Sequence, residues 1–211
     1  MVNIPSRSKL GKYWNLREST VFLNHGSFGA CPKEILAYQR QLRDQLEADP
    51  INFLDVKAKE LWAESIEIFS EFIDADKNGL VFVPNATSGV NTVLRSLDLR
   101  HSDEILVLDH AYQACWNAVD YATKKSGAKT TVVTLPFPIT SPEEIIKSIL
   151  NSVTKNTKLA LIDTVTSPTG IRLPFEIIVK ELQSRGVDVL LDAAHGLSLI
   201  HISEPTRQSL I

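Results

Sequence analysis

Apolar residues in the first third of the chain follow a helical spacing. Residues 33–49 have this pattern, and Asp49-Pro50 ends it because proline cannot continue a helix. In the next segment the apolar positions recur every three or four residues and so share one face: Trp62, Ile66, Phe69 and Ile73. The pattern predicts two amphipathic helices, preceded by a Gly-rich, turn-like stretch at 22–32.

From residue 80 onward, short and continuously apolar runs alternate with amphipathic segments. The runs are typical of buried strands and occupy 80–84, 104–109, 130–135, 158–165 and 188–193. The segments between them predict helices at 87–97, 112–127 and 175–186, and one that opens with a capping box at 141–144. Apolar strands that alternate with helices are typical of a parallel sheet covered on both faces. The predicted fold class is therefore α/β, a three-layer sandwich around a mostly parallel sheet.

The composition allows a sizeable core and bears on the class of partner. Of the 211 residues, 44% are hydrophobic and 22% are charged, and the formal net charge is −3. There is no basic run, so we expect no nucleic-acid partner. The chain has no apolar run of roughly 18 residues and no signal-peptide core, so we expect no membrane partner and a cytoplasmic protein. Cys31 and Cys115 lack a zinc-binding spacing, and we expect no metal site.

Polar stretches follow four of the predicted strands at their carboxyl ends. They read PNATSGVN at 84–91, DHAYQA at 109–114, TVTSPTG at 164–170 and DAAHG at 192–196. Ligands of open parallel sheets bind outside this edge, where the strands end. We therefore expect the functional residues of this part of the chain to lie in these four stretches.

The first two stretches suit a phosphate and a planar ring. Thr87 and Ser88 offer two hydroxyls at the start of a helix, whose positive end attracts an anion. Alternatively, one of them serves only as the N-cap. Tyr112 could stack on a flat ligand or pack within its own domain, and His110 beside it could be an ordinary loop histidine. From these residues alone the alternatives stay open.

The last two stretches supply hydroxyls and a carboxylate. Ser167 and Thr169 lie in a turn-like sequence, and their hydroxyls could bond a ligand oxygen or the local backbone. Asp192 follows buried aliphatic residues, where an unpaired charge is costly. A cationic ring nitrogen would be a suitable partner, with His195 beside the same ligand. The alternative is that Asp192 only caps the next helix.

The order of these motifs resembles the class V aminotransferase family of pyridoxal-phosphate enzymes, and within it the isopenicillin-N-epimerase-like members. The motifs are FLNHGSFGACP, NATSGVNTVLRSL, DHAYQA, DTVTSPTGIRLP and LLDAAHG, and the likeness covers about residues 20–196. The resemblance implies the large domain of a fold-type-I enzyme, with pyridoxal 5'-phosphate as cofactor and an amino-acid-type substrate. It also implies a homodimeric parent protein.

The resemblance assigns roles to the residues at matching positions. The cofactor phosphate would be held by Ala86, Thr87 and Ser88. Tyr112 would stack on the pyridine ring, and Asp192 would bond its nitrogen. Ser167 would contact the ring hydroxyl, and His195 would lie beside that hydroxyl. The substrate entrance would be lined by Asn24, His25 and Gly26. A carboxylate at Asp192 favours the protonated ring nitrogen, and the ring then accepts electrons when a bond at the substrate α-carbon breaks.

The sequence lacks the lysine that members of this family use to bind the cofactor as a Schiff base. The resemblance puts the Schiff-base lysine a few dozen residues after Asp192, yet no lysine follows Lys180. Residues 197–207 resemble the in-frame translation of a sequencing adapter, so we expect the native part to end near Gly196. The predicted organisation is an entry segment at 1–20, a partial cofactor-binding domain at 21–196 and a non-native tail at 197–211. Without a catalytic lysine, the chain itself is expected to be inactive.

Several functions stay open at this point. The resemblance allows an epimerase, an aminotransferase or a lyase, and equally a parent that is a cysteine desulfurase or selenocysteine lyase. A different class is a non-catalytic module that binds a nucleotide or a cofactor. Against a nucleotide, no GxGxxG or GxxxxGK[ST] motif follows any predicted strand.

Overall fold

The computed structural model describes residues 8–197, which divide into two compact units between Leu80 and Val81. This boundary falls within the range 21–196 that the sequence suggests as one partial domain, and that domain assignment stays a prediction. Residues 198–211, which make up most of the expected non-native tail, lie outside the described residues.

The first unit is helical. Its α-helices are α1 (His25–Phe28), α2 (Lys33–Ala48), α3 (Pro50–Asn52) and α4 (Ala58–Ile73). Shorter turns are the 3₁₀ turns Lys9–Tyr13 and Lys77–Gly79 and the π turn Phe53–Lys57. The two helices predicted from apolar spacing are confirmed. The predicted apolar face of α4 is only partly buried, because Ile66 is 9% exposed whereas Trp62 is 52% exposed.

The second unit is an α/β sandwich around a four-stranded parallel sheet. Its strands are β1 (Glu104–Leu108), β2 (Lys129–Val133), β3 (Thr157–Asp163) and β4 (Asp188–Asp192). Its helices are α5 (Ala86–Ser96), α6 (Gln113–Ser126), α7 (Pro142–Asn151) and α8 (Phe175–Ser184). The strand order is β2-β1-β3-β4, with every neighbouring pair parallel. The α/β fold class is confirmed, as are the strands predicted from residue 104 onward.

The apolar run at 80–84 is not a strand, and that prediction was wrong. Val81 is 71% exposed, and the sheet of described residues contains no strand from this segment. An apolar run is compatible with a strand, but a strand also needs a neighbour for its backbone hydrogen bonds. Helix α5 is therefore preceded by a segment without regular secondary structure in place of the expected strand.

Alternate side chains along the strands face two different helical layers. One core joins β-strand residues to α7 and α8 and contains Leu106, Leu108, Ala160 and Ile162. The other joins them to α5 and α6 and contains Ile105, Val107, Leu159 and Leu161. Because both faces are covered, nearly every strand position is buried, which explains the continuously apolar runs. Each fully buried leucine or isoleucine contributes roughly 1.5–3 kcal/mol.

The direction of the chain connections reverses between β1 and β3. The chain passes from β1 through α6 to β2 on one side, whereas β3 lies on the other side of β1. Helices α6 and α7 accordingly cover opposite faces of the sheet. A reversal of this kind leaves a crevice outside the carboxyl ends of the two strands, where ligands of open parallel sheets bind. The carboxyl-terminal edge of the sheet is therefore where a ligand site is expected.

A glycine packs the turn after β4 onto the end of β3. The Thr164 N–H donates to the Asp192 carbonyl oxygen at 2.9 Å, and the Gly196 N–H donates to the Ala193 carbonyl oxygen at 2.9 Å. A Cβ atom at Gly196 would overlap Thr164 Oγ1 and lie 3.0 Å from Thr164 Cβ. Glycine permits this close approach because it has no side chain.

We expect Gly196→Ala to lower the free energy of unfolding by about 1–3 kcal/mol, the usual cost of overpacking. Urea unfolding of the 211-residue chain measures this change. Gly79→Ala is the matched control, since a Cβ there meets nothing within 4 Å. In a Thr164→Ala background the cost of Gly196→Ala should shrink, because the overlapped oxygen is gone. An undiminished cost in that background would contradict the packing argument.

Candidate functional site

Two carboxylates end adjacent strands on the same face of the sheet. Asp163 closes β3 and Asp192 closes β4, and the two residues are register partners. They continue the rows of Leu161 and Leu190, which belong to the core beneath α5 and α6, because alternate strand residues share a face. Asp163 is 3% exposed and Asp192 is 7% exposed. Both acids are therefore buried at the edge where a ligand is expected.

Asp192 accepts a hydrogen bond on each carboxylate oxygen. Its Oδ1 accepts from the Ala194 N–H at 3.0 Å, and its Oδ2 accepts from the Cys115 thiol at 3.2 Å. The bond to a backbone N–H two residues ahead is typical of an Asx turn. The described residues after Asp192 form a turn and not a helix, so the proposed helix cap is not seen among them.

No cationic side chain is paired with either carboxylate in the described part of the chain. None of the ion pairs found there includes Asp163 or Asp192. Asp163 Oδ2 is buried and has no hydrogen-bond partner. Burial, and next the Asp192 charge, raise the pKa of Asp163 to about 7, although its own backbone N–H lowers it. Two buried acids without a counter-charge make a site that attracts a cation or a proton.

Cys115 connects Asp192 to the start of helix α5. The side chain of Thr87 lies near enough to this thiol to lower its pKa. Burial and the hydrogen bond to Asp192 raise the pKa of Cys115 to about 12, while the Thr87 contact lowers it. Cys115 is therefore a neutral thiol that donates a hydrogen bond, and not a nucleophile. The structure thus brings Thr87 and Asp192 to one buried side chain.

The N-cap of α5 is Asn85, whose Oδ1 accepts a hydrogen bond from the Ser88 N–H at 2.8 Å. The alternative that Thr87 or Ser88 serves only as the N-cap is therefore wrong. Both residues lie in the first turn of α5 and are half-buried, beside the exposed Ala86. Their hydroxyls stand at the positive end of the helix, which favours an anion. Their role in holding a phosphate stays a prediction.

Tyr112 stands at the junction of the β1 loop and helix α6. It is the N-cap residue of α6, three positions before Cys115. Its carbonyl oxygen accepts the Trp116 N–H at 2.9 Å, and the residue is 46% exposed. The exposed part of the ring is available for stacking on a flat ligand, and this role stays a prediction.

The turn after β3 is fixed by its own hydroxyls and by His110. The oxygens of Thr166 and Thr169 are 2.7 Å apart, and His110 Nδ1 lies 3.1 Å from Thr169 Oγ1. Gly170 adopts a φ of 64°, which glycine tolerates without strain. These bonds join the loop after β1 to the turn after β3, and Ser167, which lies between Thr166 and Thr169 in the sequence, is half-buried. The contact of Ser167 with a ring hydroxyl stays a prediction.

The remaining predicted residues fall in two places. His195 is half-buried in the turn after β4. Asn24, His25 and Gly26 belong to the first unit at the start of α1, where the Ala30 N–H donates to His25 Nδ1 at 3.4 Å. Their assigned roles, beside the ring hydroxyl and at the substrate entrance, stay predictions.

Neither a metal cluster nor a membrane span is found among residues 8–197. No group of three or more His, Cys, Asp or Glu residues in that range is arranged to hold a metal ion. No helix of that range is long and apolar enough to cross a bilayer.

Curated relatives cover most of this chain. A probable chloroplastic L-cysteine desulfhydrase of Arabidopsis thaliana is 36% identical in an alignment of 197 residues that covers 85% of this chain and 41% of that protein. Isopenicillin N epimerase of Streptomyces clavuligerus is 30% identical in an alignment of 184 residues that covers 86% of this chain and 46% of that protein. The chain therefore spans less than half the length of these curated relatives.

Solved structures share the fold over a similar range. The cystine C-S lyase C-DES, in complex with its reaction product cysteine persulfide, superimposes with a TM-score of 0.76 at 21% identity over 83% of this chain and 48% of that chain. The Escherichia coli cysteine desulfurase CsdA superimposes with a TM-score of 0.73 at 17% identity over 91% of this chain and 50% of that chain. At such identities the likeness shows the fold alone, that of the large domain of fold-type-I pyridoxal-phosphate enzymes.

The family comparison covers both units. Residues 31–204 match the model of the family described as Aminotransferase class-V. The matched range includes α2 to α8 and all four strands, and it runs past Gly196 into the segment expected to be non-native. The chain belongs to the class V aminotransferase family.

Proposed function

We propose that the chain holds pyridoxal phosphate as part of an enzyme that acts on an amino acid. Members of the family use this cofactor. The observation that carries the proposal is the buried Asp192 carboxylate, which has no cationic partner among the described residues. The Cys115 thiol donates a hydrogen bond to Asp192, and Thr87, in the first turn of helix α5, lies near the same thiol. An anion-binding helix end and a cation-seeking carboxylate thus share one site.

The two ends of this site fit the two charges of the cofactor. A protonated pyridine nitrogen would provide the positive charge that the buried Asp192 carboxylate lacks. A phosphate would be held at the start of α5 by backbone N–H groups and the hydroxyls of Thr87 and Ser88.

When bound, pyridoxal phosphate supplies an electron sink for the bond that breaks at the substrate α-carbon. The chain's own residues would fix and polarise it. Asp192 would favour the protonated ring nitrogen, and the Ala194 N–H and Cys115 thiol orient its carboxylate. Tyr112 would cover one face of the ring, and Ser167 would contact the ring hydroxyl, with His195 beside it.

The relatives favour cleavage of a carbon–sulfur bond in a cysteine-type substrate. An L-cysteine desulfhydrase is 36% identical to this chain, and a cystine C-S lyase shares its fold. Isopenicillin N epimerase, at 30% identity, supports epimerisation of an amino-acid-type substrate as a second candidate. We propose that the whole protein is a homodimer with one of these activities. Since the sequence has no lysine after Lys180, we propose that the 211-residue chain itself binds the cofactor without a covalent bond.

We expect Asp192→Asn to weaken the binding of pyridoxal phosphate about 10- to 100-fold, because a hydrogen bond to a charged group contributes about 1.5–3 kcal/mol. An absorbance or fluorescence titration of the 211-residue chain measures the dissociation constant. Asp188→Asn is the matched control, because Asp188 lies on the same strand but is exposed. Equal affinities for wild type and Asp192→Asn would contradict the proposed ring contact.

We expect Thr87→Val to weaken the binding of pyridoxal phosphate about fivefold, the effect of one lost hydrogen bond of about 1 kcal/mol. The same variant should bind pyridoxal, which lacks the phosphate, as well as wild type does. Thr92→Val serves as the control, since Thr92 is an exposed residue of the same helix whose hydroxyl bonds the Ser88 carbonyl oxygen. An equal loss for both ligands would show that Thr87 does not act on the phosphate.

A further inference from the structure

Asp163 is a buried acid that the proposed cofactor contacts do not use. It is 3% exposed, and its Oδ2 has no hydrogen-bond partner. Its register partner across the β3–β4 pair is Asp192, so both side chains leave the same face of the sheet. Neighbouring strands lie about 4.8 Å apart, which brings the two acids into direct electrostatic contact.

Two ionised carboxylates in this position would repel each other inside an apolar core. The core beneath α5 and α6 adjoins both acids with Leu161 and Leu190. Asp192 is the better solvated of the two as an anion, because it accepts hydrogen bonds from the Ala194 N–H and the Cys115 thiol. Asp163 lacks comparable donors on Oδ2. When two nearby acids compete, the proton goes to the one whose charge is less well stabilised.

We propose that Asp163 and Asp192 share one proton in mildly acidic solution, and that Asp163 is a positioning residue that leaves Asp192 as the single anionic carboxylate of the site. A protonated Asp163 is a neutral hydrogen-bond donor beside Asp192. The effect on a cofactor ring rests on the proposed function. The shared proton does not, because it follows from the two buried acids alone.

Among the described residues, no Lys, Arg or His forms an ion pair with Asp163 or Asp192, and this includes His195 in the turn after β4. Cys115 on α6 is a neutral thiol. Asp109, at the end of β1, accepts the Leu135 N–H at 3.1 Å and lies 4.0 Å from His110 Nε2. The residues of α5 in this core are uncharged: Val90 and Leu94. Burial and the Asp192 charge accordingly raise the pKa of Asp163 from the ordinary 3.8 to about 7.

This proton links folding to pH in a definite direction. Between pH 3.8 and about 7 the folded chain keeps a proton on the pair that the unfolded chain releases. The folded state therefore binds more protons than the unfolded state, and stability falls as the pH rises through this window. Above about pH 7 both states have lost the proton and the dependence ends.

The test compares thermal unfolding of the cofactor-free 211-residue chain with that of Asp163→Asn, from about pH 5 to about pH 8.5. The wild-type melting temperature, measured relative to that of Asp163→Asn, should fall by roughly 5–10 °C across this range. Asp188→Asn, an exposed acid of β4, should keep the wild-type profile. Parallel profiles for wild type and Asp163→Asn would overturn the proposal.

A second measurement uses the wild-type chain alone and so does not depend on whether a variant folds. Infrared difference spectra of the wild-type chain should show the C=O stretch of a protonated carboxylic acid near pH 6, lost on titration through about pH 7. Absence of this band throughout would equally overturn the proposal. Both measurements omit pyridoxal phosphate, so a failure of the cofactor proposal and a failure of the shared proton are distinguished.

Discussion

The structure of the second unit depends on the placement of two carboxylates where an apolar core ends. Asp163 and Asp192 occupy the last positions of adjacent parallel strands, on the face packed against α5 and α6. Ionised acids at such positions destabilise a fold unless hydrogen bonds, a proton or a cation compensates them. The Ala194 N–H and Cys115 thiol satisfy Asp192, while Asp163 keeps an oxygen without a partner. This site therefore lacks a compensating positive charge, which a positively charged ligand would supply.

Much of this fold is predictable from local patterns. The strands from residue 104 onward read as continuous apolar runs because both sheet faces are covered, and the helices between them show amphipathic spacing. The run at 80–84 has the same local pattern, yet it is not a strand, because pairing depends on a neighbour that local sequence does not specify. Local sequence likewise did not predict how much of the apolar face of α4 is buried, because that depends on what packs against the helix.

The site was predictable only in outline. Parallel strands bring their carboxyl ends to one edge, so the polar stretches at 84–91, 109–114, 164–170 and 192–196 were expected to converge there, although the first of them follows no strand. Hydrogen bonds between residues far apart in the sequence leave no local pattern from which they could be predicted. The contact of Cys115 with Asp192 spans 77 residues of sequence, and that of His110 with Thr169 spans 59. The sequence did not single out Asp163 as a site residue for a different reason. It lies inside a strand-like apolar run, and only the register of β3 with β4 shows that it lies beside Asp192.

The central claim is that the buried carboxylate at Asp192 meets a protonated ring nitrogen. The most direct measurement is the ¹⁵N chemical shift of pyridoxal phosphate labelled at the ring nitrogen and bound to the 211-residue chain. The account predicts the shift of a protonated pyridine that persists at a pH where the free cofactor has lost that proton. The shift of an unprotonated nitrogen in the bound state would contradict it.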